Sequence, residues 1–119
     1  MIKFIVGRIR SIGYAFKGVW LLITTEASIK VQFVIGIVMT IAGFYFQIST
    51  TEWCIQIGTI ALIMSVEGLN TAIEEMADFI HPDHHHRIGF IKDIAAGAVF
   101  ITAIAAVAIG LIIYLPKIL

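Results

Sequence analysis

Residues 94–115 read IAAGAVFITAIAAVAIGLIIYL, twenty-two positions without a charge. At the helical rise of ~1.5 Å per residue the run is about 33 Å long, enough to cross a hydrocarbon core of ~30 Å. It is a membrane span. The composition agrees: of 119 residues 60% are hydrophobic and only 13% charged, far from the balance of a soluble domain. Residues 31–48, VQFVIGIVMTIAGFYFQI, form a second uncharged stretch. A third starts at Trp53 and runs fourteen uncharged residues to Val66 before meeting Glu67. Lipid leaves backbone groups no partner outside the segment, so all three stretches should be helices. The fold expected is an all-α membrane protein with transmembrane helices at 31–48, 53–73 and 94–115.

The formal net charge of zero hides a segregation. Lys3, Arg8, Arg10, Lys17 and Lys30 precede the first span, Arg87 and Lys92 lie between the second and third, and only Lys117 follows the third. The positive-inside rule then places the N-terminus and residues 74–93 in the cytoplasm and the C-terminus outside. Lys3, Arg8 and Arg10 interrupt the N-terminal apolar residues, so no signal peptide is expected. Instead Ile5, Ile9, Ile12, Phe16 and Val19 recur at helical steps while Lys3, Arg10 and Lys17 recur every seven. This is the pattern of an amphipathic surface helix over about residues 1–29, on the lipid interface or on the other helices. No repeat, linker or low-complexity tract divides residues 1–119, which read as one domain, and the lone Cys54 supports no disulfide.

Function is concentrated in SVEGLNTAIEEMADFIHPDHHH, residues 65–86. Six of the eight carboxylates, Glu67, Glu74, Glu75, Asp78, Asp83 and Asp93, fall within 27 positions around the inner end of the second span. On a continuous helix Glu67, Asn70, Glu74 and Asp78 project within about 80° of one another, while Glu75 points elsewhere. Carboxylates on one face in or near a bilayer repel unless a cation sits between them, and oxygen-only ligands favour Mg²⁺. Glu75 and Asp83 are also explained as a solvated helix extension. His81, His84, His85 and His86 lack the spacing of a rigid ligand pair and read as a polar loop. Asp93 suits the start of the third span, and Lys92 can reach a phosphate at the membrane surface. The ladder Ala98, Thr102, Ala106 and Gly110 permits close helix contact, and so small a bundle should oligomerise. No Walker-type phosphate loop and no protein-kinase motif set is present.

The elements TEAS (25–28), VEGLNTAIEEMAD (66–78) and IKDIAAGAV (91–99), in this order, resemble the prokaryotic diacylglycerol kinase family, which includes undecaprenol kinases. The resemblance runs from GYAFKG at 13–18 through the third span. It implies a homotrimer in the bacterial inner membrane, each subunit carrying a surface helix and three spans, that uses Mg²⁺ and ATP to phosphorylate a lipid hydroxyl. The family's general base falls on Glu67 and its metal carboxylates on Glu26 and Glu74. Asn70 and Asp78 match polar residues of the same helix. Tyr14, Lys92 and Asp93 match nucleotide-contacting positions, as do Asp83, His84 and His85 in the loop, where a tyrosine often replaces His84. Gln32 stands where diacylglycerol-specific members carry a glutamate, and GLIIYLPKI at 110–118 looks more like the undecaprenol kinases. Either diacylglycerol or undecaprenol is the implied acceptor, with no nucleic-acid partner. The alternatives are a small transporter, which would need polar groups along a path across the bilayer, and a noncatalytic subunit.

Overall fold

The computed structural model describes residues 1–119 as four helices: α1 (Ile2–Thr25), α2 (Ala27–Tyr45), α3 (Thr50–Ile80) and α4 (His86–Ile118). The last three are long and apolar enough to cross a membrane. Of 101 backbone–backbone hydrogen bonds, 91 lie inside helices, so each segment satisfies its own polar backbone as lipid requires.

The helices run past the apolar segments because lipid thickness limits a span and not a helix. Upstream of α3, Ser49 and Glu52 form a reciprocal capping box, Glu52 N–H donating to Ser49 Oγ at 3.1 Å and Ser49 N–H to Glu52 Oε1 at 2.9 Å. This starts the helix three residues before Trp53. At its other end α3 carries Glu74, Glu75 and Asp78 well beyond position 73 and stops at Ile80, where His81 precedes Pro82 and is pushed out of helical conformation. Arg87 N–H donates to His85 Nδ1 at 3.1 Å, which opens α4 eight residues before Ile94. The N-terminal helix ends at Thr25 instead of continuing to about 29. Glu26 is extended (φ −104°, ψ 123°) and serves as the last cap of α1 and the first cap of α2. Ala27–Lys30 therefore belong to the first span. That span closes at Tyr45, short of Ile48, where Gln47 takes a left-handed conformation (φ 52°).

α3 is the central element, packed most extensively on α4 and next on α2. Two glycines seven residues apart bring α2 onto it. A Cβ on Gly36 would lie 3.3 Å from Ile60, and one on Gly43 would lie 2.6 Å from Trp53 Cη2. Small residues at such crossings allow the backbones to approach. Beside Gly43, Ile48, Ile113 and Tyr114 form a buried cluster. Gln56 is buried there, donating to the Met39 carbonyl at 2.9 Å and accepting from the Tyr114 hydroxyl. Lys117 closes this end on Glu52 at 2.8 Å. Only eleven of the 119 residues are buried within the chain, so the outward apolar faces of the spans need lipid or protein against them.

Gly43→Ala is expected to lower stability by about 1–3 kcal/mol through the clash with Trp53. Trp53→Leu removes Cζ2 and Cη2, so in a double-mutant cycle measured by thermal unfolding in micelles most of that increment should disappear.

Candidate active site

At the end of the bundle opposite Lys117, polar side chains from α2, α3 and α4 come together. Fourteen uncharged residues separate Glu67 from Glu52, a rise of about 21 Å along α3. Glu67 is also buried, with 9% of its surface exposed. On the next position Gly68 makes room for α1: a Cβ there would lie 3.0 Å from Leu22 Cδ1. The end of α1 thus packs on α3 at the position after Glu67.

One protein group reaches that carboxylate. Gln32 Nε2 on α2 donates to Glu67 Oε1 at 3.4 Å, whereas Oε2 is buried and receives no hydrogen bond from the protein. No basic side chain pairs with Glu67, because the ion pairs of the chain are Lys92–Asp78 and Lys117–Glu52. One turn further, Asn70 Nδ2 donates to Glu74 Oε1 at 3.4 Å, leaving Asn70 Oδ1 as a second buried acceptor without a protein donor. Two such acceptors side by side are costly unless a ligand or solvent donor meets them.

The aqueous rim is built by α4 and the turn before it. Lys92 lies ahead of the uncharged segment and donates to Asp78 Oδ1 at 2.6 Å. That hydrogen bond raises the Lys92 pKa above the ordinary lysine range, with Glu74 adding attraction of the same sign. Lys92 therefore stays cationic across physiological pH. Glu74 is exposed, and Glu26 is half-buried at the α1–α2 break. In the turn, His81 Nδ1 contacts the Asp83 carbonyl at 2.7 Å, while Asp83, His84 and His85 are exposed. Tyr14 on α1 and Asp93 on α4 are exposed too, with no side-chain hydrogen bond to the cluster.

The structure thus joins Glu67, Asn70, Glu74 and Lys92 at one end and leaves Tyr14, Asp83, His84, His85 and Asp93 as separate exposed groups. It adds two contacts that sequence periodicity does not give. Gln32 on Glu67 is one, foreshadowed only by a carboxamide in an apolar span. The other is Asp78 with Lys92, fourteen residues apart across the Pro82 turn. Within the chain no three His, Cys, Asp or Glu side chains converge as a metal cage.

Alongside α2, α3 and α4 runs an apolar cavity of about 420 Å³. Gln32 lines it together with Gly36, Met39, Ile60 and Ala106, so the cavity and the Glu67 carboxylate share one residue.

Three helices long and apolar enough to span a membrane, with a buried carboxylate and a lysine–aspartate pair at one end of the bundle, define a small polytopic membrane protein. The family model described as prokaryotic diacylglycerol kinase matches residues 13–114. The chain is 38% identical over 108 residues to the undecaprenol kinase of Bacillus subtilis, covering 91% of this chain and 88% of that protein. It is 33% identical over 110 residues to a diacylglycerol kinase of Synechocystis, covering 92% of this chain and 63% of that one. Against the diacylglycerol kinase of Escherichia coli K12 the identity is 30% over 99 residues, covering 83% and 81%. The chain belongs to the prokaryotic diacylglycerol kinase family. It is a multi-pass membrane protein and a lipid kinase, not a transporter or a noncatalytic subunit.

The Lys92–Asp78 pair is largely exposed, and such pairs contribute about 0–1 kcal/mol. Asp78→Asn should therefore shift thermal unfolding in micelles by no more than that. A several-fold larger loss would place the pair in a buried contact between protomers.

Proposed function

We propose that the protein transfers the γ-phosphoryl group of ATP to the primary hydroxyl of a membrane lipid, with Glu67 as general base. The observation that carries this reading is the buried, undonated Glu67 Oε2, on a carboxylate whose other oxygen is met by Gln32, a residue that lines the apolar cavity. A lipid alcohol offers what that oxygen lacks, a hydroxyl donor on an apolar chain. In the reaction the hydroxyl proton passes to Glu67 Oε2 and the lipid oxygen bonds to the γ-phosphorus. The bond from that phosphorus to the β–γ bridging oxygen breaks, and ADP leaves with the electron pair. Asn70 orients the reactants through its free Oδ1 and steadies Glu74 through its amide.

Membership of a kinase family implies ATP as the co-substrate. Lys92 supplies fixed positive charge to its phosphates, and Tyr14, Asp83, His84, His85 and Asp93 line the path by which a nucleotide approaches from water. Mg²⁺ fits the donor set: Glu26 and Glu74 are hard oxygen ligands, and this ion commonly takes one or two carboxylates with phosphate oxygens and water, so no larger protein cage is needed. Those two residues would hold it, and when bound it neutralises charge on the transferring phosphoryl.

The distribution of basic residues supports this site facing the cytoplasm in a bacterial inner membrane, with the C-terminus outside. Exposed apolar residues along α1, including Ile5, Ile9, Ile12 and Phe16, support an amphipathic helix on the lipid surface. The uncovered faces of the spans support assembly, which the family resemblance gives as a homotrimer. Undecaprenol is the favoured acceptor, diacylglycerol the alternative, because identity is higher to an undecaprenol kinase than to the two diacylglycerol kinases compared.

Glu67→Gln should fold and insert normally yet lose about 10²–10⁴-fold in kcat for lipid phosphorylation. Near-normal turnover would remove Glu67 from the chemistry. Glu74→Gln should raise the Mg²⁺ concentration needed for half-maximal rate as well as slow the reaction. An unchanged Mg²⁺ titration would contradict its assignment as a ligand.

A further inference from the structure

Gln32 is an unusual residue for its position. Apart from the exposed Tyr45, the polar side chains along residues 31–48 are Gln32, Thr40 and Gln47. Thr40 returns its hydroxyl to its own helix, on the Gly36 carbonyl at 2.8 Å, and Gln47 is exposed in the turn. Gln32 alone of the three reaches another helix with its side chain, and it spends that amide on Glu67 Oε1.

The consequence lies in what the hydrogen bond does to the carboxylate. The terminal torsion of a glutamate is broad and nearly two-fold, so an untethered carboxylate exchanges its oxygens and samples many orientations. A donor on one oxygen breaks that equivalence. Oε1 is held from α2, and Oε2 is left buried without a protein donor. The other charged groups at this end, Glu26, Glu74, Asp78 and Lys92, form no ion pair with Glu67, so the Gln32 amide is the side chain that fixes it.

We propose that Gln32 is a positioning residue of the kinase reaction, tethering Glu67 through Oε1 so that Oε2 faces the acceptor hydroxyl. The inference rests on the reading of Glu67 as the base. Gln32 also lines the apolar cavity, which places the tether at the junction between the hydrocarbon of an acceptor and its hydroxyl.

The test uses two donor-free variants of similar volume, Gln32→Leu and Gln32→Met, in lipid bilayers with Mg-ATP and undecaprenol, beside Glu67→Gln. Both lose the donor while preserving side-chain bulk, so a space-filling role leaves their kinetics at wild-type values. The tether instead lowers kcat about tenfold in each, the loss of one hydrogen bond to a charged group, with KM for ATP unchanged. Wild-type kcat in Gln32→Leu, with Glu67→Gln inactive, overturns the tether and leaves the base standing. Normal turnover by Glu67→Gln overturns both. Leucine and methionine both suit an apolar cavity wall, so the test stands on whichever of the two variants folds.

Discussion

A carboxylate buried within the helical bundle with a single long hydrogen bond is the constraint on which this structure turns. Burying an ionised group without a cation partner costs several kcal/mol even after the surroundings relax. Glu67 has no ion-pair partner and one oxygen without a protein donor. The neighbouring structure is arranged around that group. Gly68, the next residue, admits Leu22 of α1 onto α3, Gln32 of α2 reaches one oxygen, and Asn70 extends the polar face toward Glu74. A two-substrate reaction between a lipid alcohol and a water-soluble nucleotide needs this placement. The alcohol cannot leave the bilayer, and the phosphates cannot enter it.

The two ends of the bundle solve different problems. At the Lys117 end the polar groups are satisfied: Gln56 meets Met39 and Tyr114, Glu52 meets Ser49 and Lys117. That end is built for stability, with Gly43 set under the Trp53 ring to bring α2 and α3 together. The Glu67 end leaves two acceptors open, and polar groups left unsatisfied in one place beside a cavity mark where binding supplies the missing donors. Between the two ends the spans expose most of their apolar surface, so the single chain depends on lipid and on association for its packing.

The spans were legible in the sequence because absence of charge over a membrane thickness has one physical solution. The shared face of Glu67, Asn70 and Glu74 was legible for a similar reason, since helical spacing alone fixes it. Helix ends were less so. Hydropathy marks where lipid stops, whereas Ser49 and Glu52 mark where α3 begins and the His81–Pro82 step marks where it ends. The break at Glu26 lies past Val19, the last position of the amphipathic pattern, in a stretch with no Gly or Pro to mark it. Contacts between helices, Gln32 with Glu67 and Asp78 with Lys92, depend on the rotation of one helix against another, which periodicity leaves open. The assignments of Glu26 to a metal and of Tyr14 to a nucleotide came from family resemblance alone, because neither residue belongs to the carboxylate face that helical spacing marks on α3.

The measurement that tests the central claim most directly is transfer of labelled γ-phosphate by the purified protein in lipid bilayers containing undecaprenol or diacylglycerol. The account predicts label in the lipid, dependent on Mg²⁺ and greater with undecaprenol. Release of the label as inorganic phosphate, with neither lipid labelled by folded, inserted protein, would contradict it, since the open oxygen of Glu67 would then be serving water and not a membrane alcohol.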